Sequence, residues 1–301
     1  MEPTKYIWMD GTFVPWAKAT VHVLVHGLHY GSAVFEGVRC YETPKGPAVF
    51  RLKEHTDRLL YSAKAIDMTS PFSRDELMEA TKELIRRNKI KECYIRPILF
   101  YGYGKMGLRP GGAPVQSTIA CWPWGSYLGH EAVRVKTSKH IRLHPRSVVP
   151  DAKVSGHYVN SIMASLEVVG DDRYDESLFL DFEGNIAEGP GENIFFVRDG
   201  KLITPPHGMI LPGITRDSVV SLAKDRGLTV TEKTVKPEDL ASMDECFFTG
   251  TAAEVTAVVS IDGKKIGNGK IGPVTTTLKK AYLDAVHGKD PKHQAWCAYV
   301  G

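Results

Sequence analysis

Residues 149–160 read Val149-Pro150-Asp151-Ala152-Lys153-Val154-Ser155-Gly156-His157-Tyr158-Val159-Asn160. An extended approach, interrupted by Pro145 and Pro150, leads into this stretch, and a helix is predicted to follow it over 158–169. Lys153 therefore lies at a junction between two elements, where its amine can face a cleft. A single lysine is ordinarily a solvated surface residue, so the rest of the chain decides its role.

The composition is that of an ordinary globular protein. The chain has 301 residues, 43% of them hydrophobic and 24% charged, with a net charge of +3. Lysine and arginine form no run longer than a pair, which gives no support to nucleic-acid binding. No stretch approaches the ~18 apolar residues of a membrane span, and no leader pattern precedes the first strand, so a cytoplasmic location is predicted. Reduced thiols are predicted for the five widely spaced cysteines, which are Cys40, Cys93, Cys121, Cys246 and Cys297.

Two local patterns that suggest other functions fail on their context. A helical i, i+4, i+7 spacing that would suit metal ligands is shared by His22, His26 and His29. The β-branched run 21–25 and Gly27 argue against that helix, so no metal site is expected. Residues 102–107 match the dinucleotide pattern G-x-G-x-x-G, but the Pro- and Gly-rich segment 108–114 that follows cannot form the helix which that fold requires.

The apolar periodicity predicts strands and helices without a regular βαβ rhythm, which indicates an α+β protein. The predicted strands are 6–9, 21–25, 34–41, 92–101, 115–122 and 132–136, with tight turns at 183–185, 199–200 and 262–263. The predicted helices span 52–66 and 158–169, and others follow Ser73, Thr215 and Pro273. A linker-like segment predicts a small N-terminal domain 1–122, a linker 123–131 and a large domain 132–301.

Four further motifs accompany the lysine stretch. They are Leu28-His29-Tyr30-Gly31-Ser32-Ala33-Val34-Phe35-Glu36-Gly37, Asn185-Ile186-Ala187-Glu188-Gly189-Pro190-Gly191-Glu192-Asn193, Leu211-Pro212-Gly213-Ile214-Thr215-Arg216-Asp217 and Phe248-Thr249-Gly250-Thr251-Ala252-Ala253-Glu254. In this order, from about Trp8 to about Asp290, they resemble the class IV aminotransferases of fold type IV, which use pyridoxal 5'-phosphate (PLP). Within that family the chain most resembles the branched-chain amino acid aminotransferases. The resemblance implies a small α/β N-terminal domain and a larger, mixed, β-barrel-like C-terminal domain with helices.

The resemblance also implies roles for individual residues at the cofactor. A PLP enzyme needs an amine for a Schiff base, a partner for the pyridine nitrogen and a cradle for the phosphate. Lys153 matches the Schiff-base lysine and proton-transferring base, Glu188 the partner of the ring nitrogen, and Tyr158 the donor to the phenolic oxygen. The positions that match the phosphate-binding segments are Arg58, Ile214, Thr215, Gly250 and Thr251.

A further set matches the family's substrate-binding positions. Tyr94 matches a wall of the apolar side-chain pocket, and Arg96 matches a residue that binds a carboxylate. The turn amides of Thr251 and Ala252 match the site of the substrate's main carboxylate. Other pocket positions are matched by Phe35, Gly37, Arg39, Trp124 and Tyr127. Tyr30 and Leu108 match residues that reach in from a neighbouring subunit, which implies a homodimer or a higher oligomer built from dimers.

The leading hypothesis is reversible, ping-pong amino transfer between L-leucine, L-isoleucine or L-valine and 2-oxoglutarate. D-amino acid or (R)-amine transamination on the same fold is the alternative, although His29-Tyr30-Gly31 and Tyr94-Ile95-Arg96 argue against it. Aminodeoxychorismate lyase activity and a non-catalytic PLP carrier are two further alternatives. The aromatic segment 121–124 and the polar bulk of 102–105 leave the range of substrate side chains open.

Overall fold

The computed structural model describes residues 2–125 and 130–301. The strands are β1 (Tyr6–Met9), β2 (Thr12–Pro15), β3 (Ala33–Phe35), β4 (Val38–Thr43), β5 (Gly46–Phe50), β6 (Cys93–Tyr101), β7 (Val115–Trp122), β8 (Ala132–Ile141), β9 (Glu176–Leu180), β10 (Asn193–Arg198), β11 (Lys201–Thr204), β12 (Val230–Glu232), β13 (Glu245–Gly250), β14 (Glu254–Ile261), β15 (Lys264–Lys265) and β16 (Cys297–Tyr299). The α-helices are α1 (His26–Tyr30), α2 (Leu52–Ala65), α3 (Arg74–Asn88), α4 (Tyr158–Leu166), α5 (Ile214–Asp225) and α6 (Pro273–Val286). Short 3₁₀ helices span Trp16–Lys18, Ser155–His157, Pro237–Ser242 and Pro291–Trp296.

The chain divides into two compact units. Among the described residues, the first unit holds those up to 125, 152–157 and 284–301, and the second holds those of 126–151 and 158–283. This division differs from the predicted one, which gave every residue from 132 onward to a C-terminal domain. The difference arises because Val154 pairs with Val34 and because β16 pairs with β5, so both later segments belong to the first sheet.

The first unit is an antiparallel sheet with helices on one face. Its described strands follow the order β16-β5-β4-β6-β7-β1-β2, and β3 pairs with β6. Helices α2 and α3 share one apolar core with this sheet, through residues such as Leu59, Leu84 and Ile95. Each such fully buried side chain contributes roughly 1.5–3 kcal/mol. Helix α3 begins with the predicted capping box, in which Ser73 Oγ accepts from Glu76 N at 3.3 Å and Ser73 N donates to Glu76 Oε2 at 2.7 Å.

The second unit is a mixed sheet. Its described strands follow the order β12-β11-β10-β13-β14-β8-β9, and β15 pairs with β14. Strand β8 runs parallel to both β9 and β14, while β13 is antiparallel to both of its neighbours. Residues 186–188 form bridges to β9 on one side and to the first residue of β10 on the other. They therefore connect β9 with the start of β10. Helices and sheets without a βαβ repeat confirm the predicted α+β class.

Several predicted elements differ from the observed ones. The strand predicted over 21–25 is wrong, because this segment is irregular and leads into α1. Helix α1 is capped at its C-terminus by Gly31, which has a positive φ of 63°, and the Gly31 carbonyl accepts a hydrogen bond from Gly156 N at 3.1 Å. The strand predicted over 34–41 is interrupted at Glu36 and Gly37, and the predicted 132–136 extends to Ile141 as β8. Within residues 2–125 and 130–301, none of the helices has the length and apolarity that a membrane crossing requires.

Candidate active site

One face of the first unit's sheet carries several of the predicted substrate-binding residues. Side chains alternate along β6, so Ile95 enters the apolar core while Tyr94 and Arg96 project from the opposite face. Arg39 on β4 and Trp122 on β7 lie directly opposite Tyr94 in register. Residues paired in this way share a face of the sheet, so β-sheet register brings these polar and aromatic side chains together.

Tyr94 lies at the centre of an aromatic cluster. Its ring centroid is 5.3 Å from that of Trp122 and 4.9 Å from that of Trp124. The hydroxyl of Tyr94 occupies the space in which a side chain at Gly37 would stand, so position 37 requires glycine. The predicted pocket residues Gly37, Tyr94 and Trp124 are therefore neighbours in the first unit.

Arg96 presents its guanidinium over the same aromatic surface. The guanidinium carbon lies 4.7 Å from the Phe35 ring centroid and 5.4 Å from that of Tyr94, and Nη2 donates to the Tyr94 hydroxyl at 3.3 Å. In the described part of the chain, no hydrogen-bond acceptor faces the buried Arg96 Nε. Arg39 stacks on Tyr41 at 4.7 Å and pairs with Glu92 at 3.5 Å. The cluster combines an apolar wall with a cation that can bind a carboxylate.

The backbone of Lys153 is held by two elements of the first unit. Lys153 N donates to Ser62 Oγ on α2 at 2.9 Å, and Lys153 O accepts from Phe35 N on β3 at 3.1 Å. The half-buried side chain places Nζ 4.8 Å from the Phe35 ring centroid. These contacts fix the lysine beside the aromatic and cationic residues described above.

Arg58 belongs to a buried charged group that the sequence did not predict. Its Nε and Nη2 donate to the two carboxylate oxygens of Glu36 at 2.6 and 2.9 Å, and His55 Nδ1 lies 2.8 Å from Glu36 Oε2. Burial by itself raises the pKa of Glu36, but Arg58 and His55 outweigh it and hold that pKa well below its ordinary value. Burial lowers the pKa of His55 despite the opposing effect of Glu36. The group therefore contains an imidazole whose charged form is disfavoured by burial, together with a carboxylate and a guanidinium whose orientation is fixed.

Glu188 is a buried carboxylate of the second unit that three residues contact through donor groups. It is 4% exposed, and its Oε1 is ion-paired with Arg142 Nε. Asn193 Nδ2 donates to Oε2 at 2.9 Å, and Leu211 N donates to both oxygens at 3.2 and 3.1 Å. Each donor favours the charged form, so Glu188 is held as an oriented carboxylate.

The predicted phosphate-binding segments of the second unit present backbone N–H groups. Helix α5 begins after Gly213, which provides no side-chain cap for the first turn at Ile214 and Thr215. The half-buried turn from Thr251 to Ala252 connects β13 to β14. Uncapped amides at the start of a 12-residue helix favour an anion.

The other predicted site residues occupy varied environments. Tyr158 is the half-buried first residue of α4, while Tyr30 and Leu108 are 44% and 87% exposed. Gly250 ends β13, where a side chain would approach Gly191 O to 3.2 Å. Tyr127 lies outside the described residues. Among residues 2–125 and 130–301, no group of three potential ligands could hold a metal ion, and the three histidines near α1 are no exception.

Comparison with known proteins gives the same family as the motifs. The model of the family described as amino-transferase class IV matches residues 33–261. The chain belongs to the class IV aminotransferases. It is 49% identical to the branched-chain-amino-acid aminotransferase of Pseudomonas aeruginosa, over 98% of this chain and 97% of that protein. Its structure is similar to that of the branched-chain amino acid aminotransferase of Escherichia coli, with a TM-score of 0.96, 43% identity and coverage of 99% of this chain and 100% of that one.

A second solved structure extends this comparison to a protein that holds the cofactor. It is the branched-chain amino acid aminotransferase of Thermobaculum terrenum in its PLP-bound form, with a TM-score of 0.94, 36% identity and 100% of both chains covered. These aminotransferases share the α+β fold of this chain, which confirms the predicted fold and family. Sequence reasoning did not find Glu36, His55 or Arg142. Glu36 directly precedes Gly37 in one of the family motifs, and Asn193 ends the motif that contains Glu188. Their positions in these motifs are the sequence signal that could have identified them.

Proposed function

We propose that this class IV aminotransferase is a PLP-dependent branched-chain amino acid aminotransferase. It transfers an amino group reversibly between L-leucine, L-isoleucine or L-valine and 2-oxoglutarate. The observation that carries the proposal is the buried Glu188 carboxylate, which three separate donors hold in a fixed orientation. Relatives of that name match nearly the whole chain, which favours this reading over D-amino acid or (R)-amine transamination.

The residues present fit PLP by the chemistry of their donors. Lys153 supplies the primary amine, and the charged Glu188 suits a protonated ring nitrogen. Arg58 and the uncapped amides of Ile214 and Thr215 suit the phosphate dianion, with Gly250 and Thr251 contributing to its binding. A buried Thr249 hydroxyl beside Gly250 has no hydrogen-bond partner in the described residues, which adds a polar atom to this segment. Tyr158 is proposed to donate to the phenolic oxygen.

Each residue then has a defined task in the reaction. When bound, PLP supplies the electron sink that stabilises the carbanion formed at the substrate Cα. Lys153 Nζ removes the proton from the substrate Cα and delivers a proton at the cofactor's C4′ carbon. Glu188 would keep the ring nitrogen protonated, because a carboxylate beside that nitrogen favours its charged form. Arg58 holds the phosphate, and Glu36 fixes the orientation of Arg58.

The two substrates are proposed to use one side-chain pocket. Phe35, Gly37, Tyr94, Trp124 and Tyr127 are proposed to surround an aliphatic side chain. Arg96 binds the distal carboxylate of glutamate, since its guanidinium lies over the aromatic wall of Phe35 and Tyr94. Arg39 is proposed to support this pocket, and the turn amides at Thr251 and Ala252 bind the main carboxylate.

A homodimer is proposed to complete the site, with Tyr30 and Leu108 contributed by the neighbouring subunit. The exposed apolar side chains near these two residues support this proposal, since Leu28 and Val23 are each 66% exposed. Leu108→Glu should convert the protein to monomers, because a charge would have to enter an apolar interface. Light scattering after size exclusion measures the mass, and Lys264→Glu on the exposed strand β15 is the matched control. A dimer that is unchanged by Leu108→Glu contradicts the proposed interface.

A cytoplasmic location is also proposed. The support is that all five cysteines are buried and unpaired, as in proteins of reducing compartments.

The visible absorption spectrum tests the proposed activity. Purified protein with PLP should show the band of lysine-linked cofactor, and L-leucine without a keto acid should bleach it. Lys153→Ala should abolish both the band and the formation of glutamate from L-leucine and 2-oxoglutarate. Lys139→Ala, at an exposed position on β8, is the matched control and should leave both intact. A band that responds to D-alanine but not to L-leucine would contradict the proposed substrate, and no band at all would contradict the proposed cofactor.

A further inference from the structure

Asn193 connects two segments of the second unit that are proposed to bind different ends of the cofactor. It is the first residue of β10 and is 4% exposed. Its Nδ2 donates to Glu188 Oε2 at 2.9 Å and to Leu211 O at 2.9 Å. A single amide group therefore ties the ring-nitrogen carboxylate to the segment that leads into α5.

The segment in front of α5 also donates hydrogen bonds to Glu188. Leu211 N donates to both oxygens of Glu188, so Glu188, Asn193 and Leu211 form a closed cycle of hydrogen bonds. Two residues later, a side chain at Gly213 would overlap Asn193 Oδ1. Gly213 has an ordinary φ of −66°, so glycine is required there by the space that Asn193 occupies and not by the backbone.

Arg142 can be compared with Asn193, because within the described structure it binds Glu188 but makes no hydrogen bond to the segment in front of α5. Among the described residues, the side-chain hydrogen bonds of Arg142 go to Glu188 and to Pro150 O, the latter at 3.3 Å. None goes to residues 211–213. Loss of Arg142 should therefore disturb the carboxylate alone, whereas loss of Asn193 should disturb the carboxylate and the start of α5 together.

We propose that Asn193 is a positioning residue that fixes Glu188 and the start of α5 relative to each other, so that the ring nitrogen and the phosphate are bound by one preorganised structure. This inference rests on the proposed function. Asn193 acts only through Glu188 and Leu211, and it has no role in moving protons.

Equilibrium binding of three cofactor analogues to the apoenzyme separates the two effects. PLP is compared with pyridoxal, which lacks the phosphate, and with 1-deaza-PLP, which lacks the ring nitrogen. The Kd of pyridoxal divided by that of PLP gives the phosphate gain, and the same ratio for 1-deaza-PLP gives the ring-nitrogen gain. Asn193→Ala should lower both gains by about tenfold, the factor expected for the loss of a buried hydrogen bond.

Two further variants keep this test independent of folding. Arg142→Met should lower the ring-nitrogen gain and leave the phosphate gain at its wild-type value. Gly213→Ala keeps the Asn193 amide but displaces it, and should lower both gains like Asn193→Ala. Circular dichroism of each apoenzyme establishes that it is folded, and Gly213→Ala carries the test if Asn193→Ala does not fold.

Three results with the variants, and one with the wild-type protein, would overturn the inference. Asn193→Ala could lower only the ring-nitrogen gain, or it could leave both gains unchanged. Arg142→Met could lower both gains as much as Asn193→Ala, which would mean that any disturbance of Glu188 reaches α5. If the wild-type protein shows neither gain, the proposed cofactor roles of Glu188 and α5 fail, and the inference fails with them. If the wild-type protein shows both gains and Asn193→Ala leaves them unchanged, the inference about Asn193 fails while the proposed cofactor roles stand.

Discussion

At the scale of single residues, Glu36 shows how burial and pairing set the charge of a group. The carboxylate is fully buried, and the bidentate contact with Arg58 makes its neutralisation unfavourable. Because its pKa is depressed in the folded state, Glu36 stabilises the fold fully above the unfolded value of about 4.5 and loses this effect as the pH falls toward the folded pKa. His55 adds to the same trend below about pH 6.5, since the unfolded chain takes up its proton first.

Glu36→Gln should lower the free energy of unfolding at pH 7 by about 3–5 kcal/mol, because it leaves the Arg58 charge buried without its counter-ion. The variant should also flatten the decline of stability between pH 4.5 and pH 3. Urea unfolding of the apoenzyme across this pH range measures both effects. Glu42→Gln is the matched control, since Glu42 forms an exposed pair with Lys91 and should change stability by less than about 1 kcal/mol. If the free energy of unfolding depends on pH in the same way for wild type and Glu36→Gln, Glu36 is not the source of the acid-dependent loss of stability.

The sequence provides candidates for the residues that carry chemistry, but not for the residues that orient them. Lys153 and Glu188 each lie in a distinctive motif, whereas Arg58 lies outside the quoted motifs and was matched only through the resemblance. Arg142 has no such motif, and its contact with Glu188 depends on how β9 pairs with β8 on one side and with Ile186 on the other. Long-range register of this kind is a property of the tertiary structure, which no local pattern encodes.

At the scale of elements, α5 offers a test of anion binding by backbone groups. Gly213 has extended dihedral angles, φ −66° and ψ 130°, which a following proline tolerates. Ile214 is the first helical position, where proline is accepted because its N–H has no partner within the helix. Ile214→Pro should therefore keep the helix while removing one proposed phosphate donor.

Ile214→Pro should weaken PLP binding about tenfold and leave the binding of pyridoxal unchanged, because only the phosphate loses a hydrogen bond. Titration of the apoenzyme by absorbance measures both affinities. Ile214→Ala is the control. It keeps the N–H but removes buried methyl groups, so it should cost about 2–4 kcal/mol of stability without changing the ratio of the two affinities. A ratio that falls equally in both variants would mean that packing at Ile214, and not its amide, is responsible.

The boundaries of elements are predictable where local chemistry fixes them. The capping box at Ser73 and Glu76 marks the start of α3, and β7 spans the predicted 115–122. The error over 21–25 has a physical cause. Its β-branched residues favour a strand, but no neighbouring strand pairs with this segment in the described structure, and Val23 remains 66% exposed. Residues 21–25 therefore form no strand, because the local preference was not supported by pairing with another strand in the described structure.

At the scale of the whole molecule, the two units have separate apolar cores, and the five thiols report on both. Cys40, Cys93, Cys121 and Cys297 lie in the first unit and Cys246 in the second, each no more than 6% exposed. Burial raises the pKa of Cys246 well above its ordinary value, which disfavours the reactive thiolate further. The five thiols, which were predicted to be reduced, are therefore also shielded from reagents. Their alkylation requires the surrounding unit to open.

Two of the proposed cofactor residues, Lys153 and Arg58, belong to the first unit. PLP at 100 times its Kd should therefore slow alkylation of the first unit's thiols by up to about 100-fold in mild denaturant, because opening that unit releases the ligand. Mass spectrometry after iodoacetamide treatment resolves the five sites. Lys153→Ala should lose most of this protection, while Lys139→Ala should retain it. Protection of Cys246 alone, with the four other thiols unaffected, would remove Lys153 and Arg58 from the proposed cofactor site.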